Sequence, residues 1–295
     1  MNVEMNKKIS DLISGIIKRN IGQEEYTWLL DKATESAGNE NNYQLNLTFT
    51  SIPRKTGKKE IIINEQELAQ LHELLPGFSI QHWTIDRLCR VWLLMQLDTG
   101  NKELYLERIQ KLFPQAEMNE QVALYSSLPL LAYAEDWKPQ CAIGIRSNIG
   151  TVLEAIMYHN PYPAKWLDES AWNQLIMKAF FTEKNVNKIP GVDKRNNRQL
   201  ANMLFDYIEE RSSAHRTVNP QIWRFAGKYI DEPHFYLLEK LFSDVDETNQ
   251  QAAALACSAS SFEKAKLLLG QHPEYKNSID RGELTWNVLA NKNDF

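Results

Sequence analysis

A chain of 295 residues with 43% hydrophobic and 24% charged residues has the material for a sizeable core and the composition of a globular protein. Its formal net charge of −5 argues against nucleic acid as a bulk electrostatic partner, and its one basic run, Arg54-Lys-Thr-Gly-Lys-Lys59, reads as a solvated turn. No apolar run approaches the ~20 residues that cross a bilayer, and Met1-Asn-Val-Glu-Met-Asn-Lys-Lys8 lacks the pattern of a secretory signal, so a cytoplasmic protein that does not span a membrane is expected.

Helical periodicity dominates the chain. Two amphipathic helices are predicted over about 5–20 and 23–37, the first carrying Ile9, Leu12, Ile13, Ile16 and Ile17. Residues 38–42 break the pattern. Tyr43, Leu45, Leu47 and Phe49 then alternate with Gln44, Asn46 and Thr48, and Ile61-Ile-Ile63 follows the basic turn. This segment, 43–63, reads as a small β-hairpin or as an extended loop wrapped on the helices. From Asn64 onward helices are expected near 64–75, 84–98, 101–113, 117–134, 138–159, 169–183, 197–213, 219–229, 234–243, 248–258, 260–270 and 281–290. The one at 84–98 is apolar on most sides and should be central. Toward the C-terminus a Leu-rich helix, an acidic turn and the Ala-rich Gln251-Ala-Ala-Ala-Leu-Ala-Cys257 suggest HEAT-like, α-solenoid character, although no clean repeat period runs through the chain. The expectation is an all-α, multi-helix array folding as one domain over 1–295, with a variable region at 1–80, a core at 81–230 and HEAT-like helices at 231–295. Cys89, Cys141 and Cys257 lie in apolar helical patterns, as small buried hydrophobes do.

Between Met118 and Arg211 polar residues fall inside otherwise apolar helices, where each needs a partner. On the helix at 117–134, Glu120 and Gln121 project into apolar surroundings, and Pro129 should kink or end the helix. They either bond a neighbouring helix terminus or belong to a site. On the helix at 138–159, Arg146 lies at the edge of the core face, while Asn148 and His159 line the opposite edge. A mid-helix Arg146 needs an anion, either Glu120, Asp168 or Asp206, or a ligand carboxylate or phosphate. Arg211 falls in an apolar stripe, but a basic residue in the last turn of a helix complements its dipole and can snorkel outward. Asn160-Pro-Tyr-Pro163 should be a stiff, extended connection. Asp168 reads as an N-cap. Asn173 lies on the flank of the next buried stripe, where capping does not explain it, and Lys178 lies on its polar side. In Gly191-Val-Asp-Lys-Arg-Asn-Asn197, Asn196 or Asn197 can cap a helix while Asp193 and Arg195 brace the loop. No Gly-rich phosphate loop, His-Glu-x-x-His, Gly-x-Ser-x-Gly or Cys-x-x-Cys occurs, and the six histidines are scattered. No cofactor and no metal site is expected.

These same residues resemble the EboA family. The resemblance rests on Met118-Asn-Glu-Gln-Val-Ala-Leu-Tyr-Ser-Ser-Leu-Pro-Leu-Leu131, Ile145-Arg-Ser-Asn148, Asn160-Pro-Tyr-Pro-Ala164, Asp168-Glu-Ser-Ala-Trp-Asn-Gln174 with its continuation to Phe181, Gly191-Val-Asp193, Leu200-Ala-Asn-Met-Leu204, and Asp206-Tyr207 with Arg211. It is specific over about 115–225 and fainter over 80–114, through Trp83-Thr-Ile-Asp-Arg87 and Val91-Trp-Leu-Leu94. Two positions depart from the pattern. Glu209-Glu-Arg-Ser212 stands where the family has His-Glu-Arg-Trp, and Ile143 stands where an acidic residue precedes Arg146. The resemblance implies a bacterial protein encoded beside proteins similar to a sugar-phosphate cyclase, a prenyltransferase, a metal-dependent hydrolase, a sugar-isomerase-like barrel and a phosphatase. It links the chain to making or exporting a secondary metabolite, and it specifies no reaction.

Three readings follow. In the first, the chain is an accessory protein that binds another protein of the same gene cluster or a small polar metabolite, phosphorylated or not. Glu120, Gln121, Arg146, Asn148, His159, Asn173, Lys178 and Arg211 would then line or support a helical groove. In the second, it is an enzyme of unfamiliar type acting on a sugar-like or cyclitol-like metabolite, with Glu120 or His159 as acid or base and Arg146 and Lys178 stabilising an anion. In the third, the polar residues only fix helix packing in a scaffold.

Overall fold

The computed structural model describes residues 3–38 and 42–292. It is all-helical: among the described residues the only extended pairing is an isolated antiparallel bridge between Glu60 and Thr84. The chain divides into two compact units, 1–168 and 169–295.

Unit 1 contains α1 (Val3–Asn20), α2 (Gln23–Gly38), α3 (Asn42–Thr56), α4 (Glu65–Leu74), α5 (Ile85–Met95), α6 (Lys102–Gln110), α7 (Met118–Ser127), α8 (Lys138–Ile145), α9 (Gly150–Met157) and α10 (Tyr162–Trp166). Ile9, Ile13, Ile16 and Ile17 share one face of α1, and all four are fully buried. Each removes a large apolar side chain from water, a gain of about 1.5–3 kcal/mol per residue. That face packs on α5, which also meets α2, α3 and α7. Only Arg87 and Met95 of α5 escape full burial, so α5 is the central helix that its apolar sequence predicted. Asn64 and Glu67 form a reciprocal capping box at the start of α4, with Asn64 Oδ1 accepting from the Glu67 amide at 2.9 Å.

Three sequence expectations are corrected here. The hairpin at 43–63 is absent, because Asn42–Thr56 is helix α3. Its period-two pattern hid a helical one: Leu45, Phe49 and Ile52, spaced i, i+4 and i+7, are buried, while Tyr43 and Leu47 are exposed. The segment after α3 does pair, but with the start of α5, through Ile61 N–H to the Trp83 carbonyl (2.9 Å) and Ile85 N–H to the Lys59 carbonyl (2.8 Å). The helix expected at 138–159 is two helices, broken at 146–149, where Arg146 takes a C-cap position and Ser147 Oγ accepts the Ile149 amide at 3.1 Å. Finally, Tyr162-Pro163 opens the short helix α10 rather than continuing an extended link. Prolines are tolerated there because a first-turn N–H has no intrahelical partner to lose. Asn160 Oδ1 accepts the Tyr162 amide, and the buried Tyr162 hydroxyl donates to the Ala134 carbonyl at 2.6 Å.

Unit 2 contains α11 (Glu169–Phe181), α12 (Arg198–Ser213), α13 (Trp223–Ala226), α14 (Phe235–Phe242), α15 (Glu247–Ala259), α16 (Glu263–Gly270), α17 (Pro273–Asp280) and α18 (Trp286–Lys292). The Ala-rich α15 is its hub and touches α13, α14, α16, α17 and α18. Ala252, Ala253, Ala254, Ala256 and Cys257 are fully buried, and their small side chains permit that close approach. A HEAT-like stack, in which each pair touches only its neighbours, does not organise this unit, because one helix serves five partners. The loop at 191–197 is braced by Arg224, whose guanidinium binds Asp193 through two 2.6 Å bonds.

Candidate functional site

The polar centre of unit 1 lies where α5 and α7 run antiparallel, Arg87 facing Ser126 and Arg90 facing Glu120. Asp86, Arg90 and Glu120 are each buried. Arg90 Nη1 donates to Asp86 Oδ2 at 2.7 Å, one helical turn back, and Arg90 Nη2 lies 3.6 Å from Glu120 Oε1. Its third contact comes from a proline. Pro53, inside α3, has no amide hydrogen for the carbonyl four residues earlier, that of Phe49. Arg90 Nε fills this place at 2.9 Å and its guanidinium lies over the Phe49 ring. Burial pulls the Arg90 guanidinium below its ordinary range, and Asp86 and Glu120 oppose that pull. Arg90 is therefore a buried charge with its partners in place. Asp86 keeps one buried oxygen, Oδ1, without a partner.

Arg87, the next basic residue on α5, is placed differently. Its guanidinium stacks on the Trp83 ring at 3.9 Å, and Nε donates to Ser126 Oγ at 2.9 Å. Trp83 is fixed by its backbone bond to Ile61 and by an edge contact with Phe78. Desolvation pulls Arg87 down to about 9 against the attraction of Asp86 and Glu154. No carboxylate comes within ion-pairing distance among the described residues, and its two terminal amino groups have no acceptor there. The residue is half-buried, and neither terminal nitrogen is a fully buried unpartnered atom.

The predicted site residues fall in different settings. Glu120 is consumed within α7 and by Arg90: its Oε2 accepts the Glu117 amide at 3.0 Å. Gln121 Nε2 donates to the Ala116 carbonyl at 3.0 Å, just before α7. Arg146 is exposed and makes no ion pair among the described residues, so the buried, mid-helix position expected for it is corrected by the break between α8 and α9. Asn148 is exposed in that break, and His159 is exposed with a left-handed backbone (φ 51°) beyond α9. The buried polar residue of this region is Asn160, which donates to the carbonyls of Tyr125 (3.2 Å) and Ala155 (2.9 Å). Pro129 cannot give the Tyr125 carbonyl its i+4 amide, and that carbonyl accepts the Leu128 amide together with the Asn160 side chain.

In unit 2, Asn173 and Asn197 exchange amide hydrogen bonds of 2.8 and 3.2 Å, and Asn197 Oδ1 caps α12 by accepting the Leu200 amide at 2.8 Å. Capping thus explains Asn173 at one remove. Lys178 is partly buried on α11. Arg211 donates from Nε to the Thr217 carbonyl at 2.7 Å and lies over the Tyr207 ring, as a last-turn arginine closing its own helix end. A groove of about 390 Å³ between α12 and α14 is lined by Glu209, Ser212, Ser213, Tyr236, Leu237 and Lys240. Most of these side chains are exposed, so the groove does not desolvate its charges as the α5–α7 centre does.

Asp86, Arg87 and Arg90 were legible as a signal and passed over. Three charges within five residues of a helix that is apolar on most sides carry the same contradiction that singled out Glu120 and Gln121. A family model described as metabolite traffic protein EboA matches residues 9–227. No curated protein and no solved structure matches the chain. The family match covers well over half of the sequence and takes in α5, α7 and the Asn160 turn, and the chain belongs to the EboA family.

Proposed function

We propose that the chain is an accessory protein of metabolite traffic that acts by binding a small polar metabolite at the α5–α7 face of unit 1, in the cytoplasm, during the making or export of a secondary metabolite. The observation that carries this reading is the contrast between two arginines one turn apart. Arg90 is enclosed and fully engaged, whereas Arg87 is held in place with two donors unused. Buried polar groups in a pure scaffold pair off, as Asn173 and Asn197 do here. Arg87 also differs from the buried Arg108, whose guanidinium binds the Ser36 carbonyl, in that the residue is half-buried and its terminal nitrogens have no acceptor among the described residues. Acid–base chemistry by Glu120 gains no support, since both its oxygens face donors already. The test is to purify the chain from a native host, denature it, and identify released small molecules by mass spectrometry. A metabolite retained by the wild type and lost from Arg87→Met supports the reading. A chain that retains no small molecule but carries a stoichiometric protein partner overturns it in favour of partner binding.

A further inference from the structure

Arg87 has a restricted binding geometry. A guanidinium offers a carboxylate or phosphate two bidentate edges, the side-on pair Nε with one terminal nitrogen and the end-on pair of both terminal nitrogens. Ser126 Oγ occupies Nε at 2.9 Å, which closes the side-on edge. The Ser126 hydroxyl passes its own hydrogen to the Val122 carbonyl, so it is a fixed acceptor and does not compete as a donor. Trp83 covers one face at 3.9 Å and is itself held by Phe78 and by the Ile61 bridge. What remains is the end-on edge, already oriented. Asp86 and Glu120 lie within ion-pair distance of Arg90, whereas Arg87 has no carboxylate at that distance and is attracted by Asp86 and Glu154 only from farther away.

We propose that the end-on edge of Arg87 is the seat for one oxyanion, a carboxylate or a phosphate carried by a small acidic metabolite, with Trp83 and Ser126 as the residues that pre-orient it. The inference rests on the metabolite-binding reading above and names the ligand class of that site. Little side-chain freedom remains to be lost on binding, because Trp83 and Ser126 already hold the guanidinium, and pre-organisation of this kind favours affinity. A ligand anion would supply at contact distance the counter-charge that Asp86 and Glu154 supply only from farther away.

The full chain is titrated at constant ionic strength with inorganic phosphate, with acetate and with acetamide, and followed by melting temperature and by the ¹⁵N resonance of the Arg87 Nε group. Saturable one-to-one binding of phosphate or acetate, absent for acetamide, is expected. Whichever of the two binds more tightly identifies the source of the oxyanion. Arg87→Met should abolish that binding. Arg87→Lys, which keeps the charge but loses the fork, should weaken it at least tenfold. Equal binding by wild type and Arg87→Lys would overturn the end-on geometry, and equal binding by wild type and Arg87→Met would overturn the site. If purified wild-type chain still retains a metabolite in either case, metabolite binding stands and only the oxyanion assignment falls. If no metabolite is retained and neither anion binds, both fall together.

Discussion

Arg87 and Arg90 lie three residues apart and give opposite stability predictions, because Arg90 has its counter-charges in contact whereas Asp86 and Glu154 attract Arg87 only from beyond ion-pair distance. Arg90→Met strands Asp86 and Glu120 in the interior and frees the Phe49 carbonyl. Removing one member of a buried, hydrogen-bonded ion cluster costs about 3–5 kcal/mol, so chemical denaturation should show an unfolding free energy lowered by that amount. Arg87→Met loses a cation–π contact and one hydrogen bond, worth about 1–2 kcal/mol together, and regains the desolvation cost of an unpaired charge. Its stability at pH 7 should lie within about 1 kcal/mol of wild type. The sign follows from linkage. Arg87 titrates lower in the folded chain, at about 9, than its ordinary value of 12.5, so the cost of its charge is fully present below pH 9 and eases only as pH rises from there. If Arg87→Met proves as damaging as Arg90→Met, the two arginines have the same structural role and the contrast drawn here is wrong. Asn160→Leu should cost about 1–3 kcal/mol in the same assay, because the Ala155 and Tyr125 carbonyls lose a buried donor and the Tyr162 amide loses its acceptor.

Helix ends and helix contacts explain much of the polar sequence that looked like a site. Pro53 and Pro129 each deny a carbonyl its i+4 amide, and a buried polar side chain from another part of unit 1 donates there: Arg90 to Phe49, and Asn160 to Tyr125 beside the Leu128 amide. A proline near the end of an apolar helix thus announces a carbonyl denied its i+4 amide, although not the residue that will serve it. Two glycines mark contacts too close for a side chain. A Cβ on Gly144 would sit 2.4 Å from the Tyr125 ring and 2.6 Å from Ile156, both buried, and one on Gly227 would sit 2.7 Å from the Ala256 backbone. Alanine gains about 1 kcal/mol of helix propensity over glycine, but overpacking costs about 1–3 kcal/mol or more where neighbours cannot yield. Gly144→Ala should be mildly destabilising and Gly227→Ala more so, since backbone moves less readily than a ring. Thermal melts in which Gly227→Ala matches or exceeds wild type would show that the α15 contact is looser than its geometry implies.

Over the whole molecule the three thiols report burial in both units. Cys89 and Cys141 in unit 1 and Cys257 in unit 2 are fully buried. Burial alone pushes Cys141 and Cys257 up to about 12, and Cys89 is raised further by the neighbouring Asp86. A thiolate-directed reagent should therefore find no reactive cysteine in the native chain at pH 8 and three in denaturant. Because these groups hold their protons more tightly when folded, their contribution is complete below the ordinary value of 9 and is lost as pH rises from 9 toward 12. An alkaline melting series that stays flat across that window would contradict this. The sequence by itself determined the all-helical class, the central place of α5, the Ala-rich packing surface of α15, a cap at Asn196 or Asn197 and the family, because local periodicity, capping chemistry and contiguous motifs carry those. It misread 43–56 because Leu45 and Phe49 fit both periods and Tyr43 and Leu47 completed the alternation over a short stretch, and it placed Arg146 inside a helix because nothing local marks the break at 146–149. Only the tertiary structure decided which charges are matched. Arg87 and Arg90 look alike in sequence, and what separates them is contributed by Phe49, Glu120, Ser126 and Trp83, four residues that only folding brings to α5 in the required orientation.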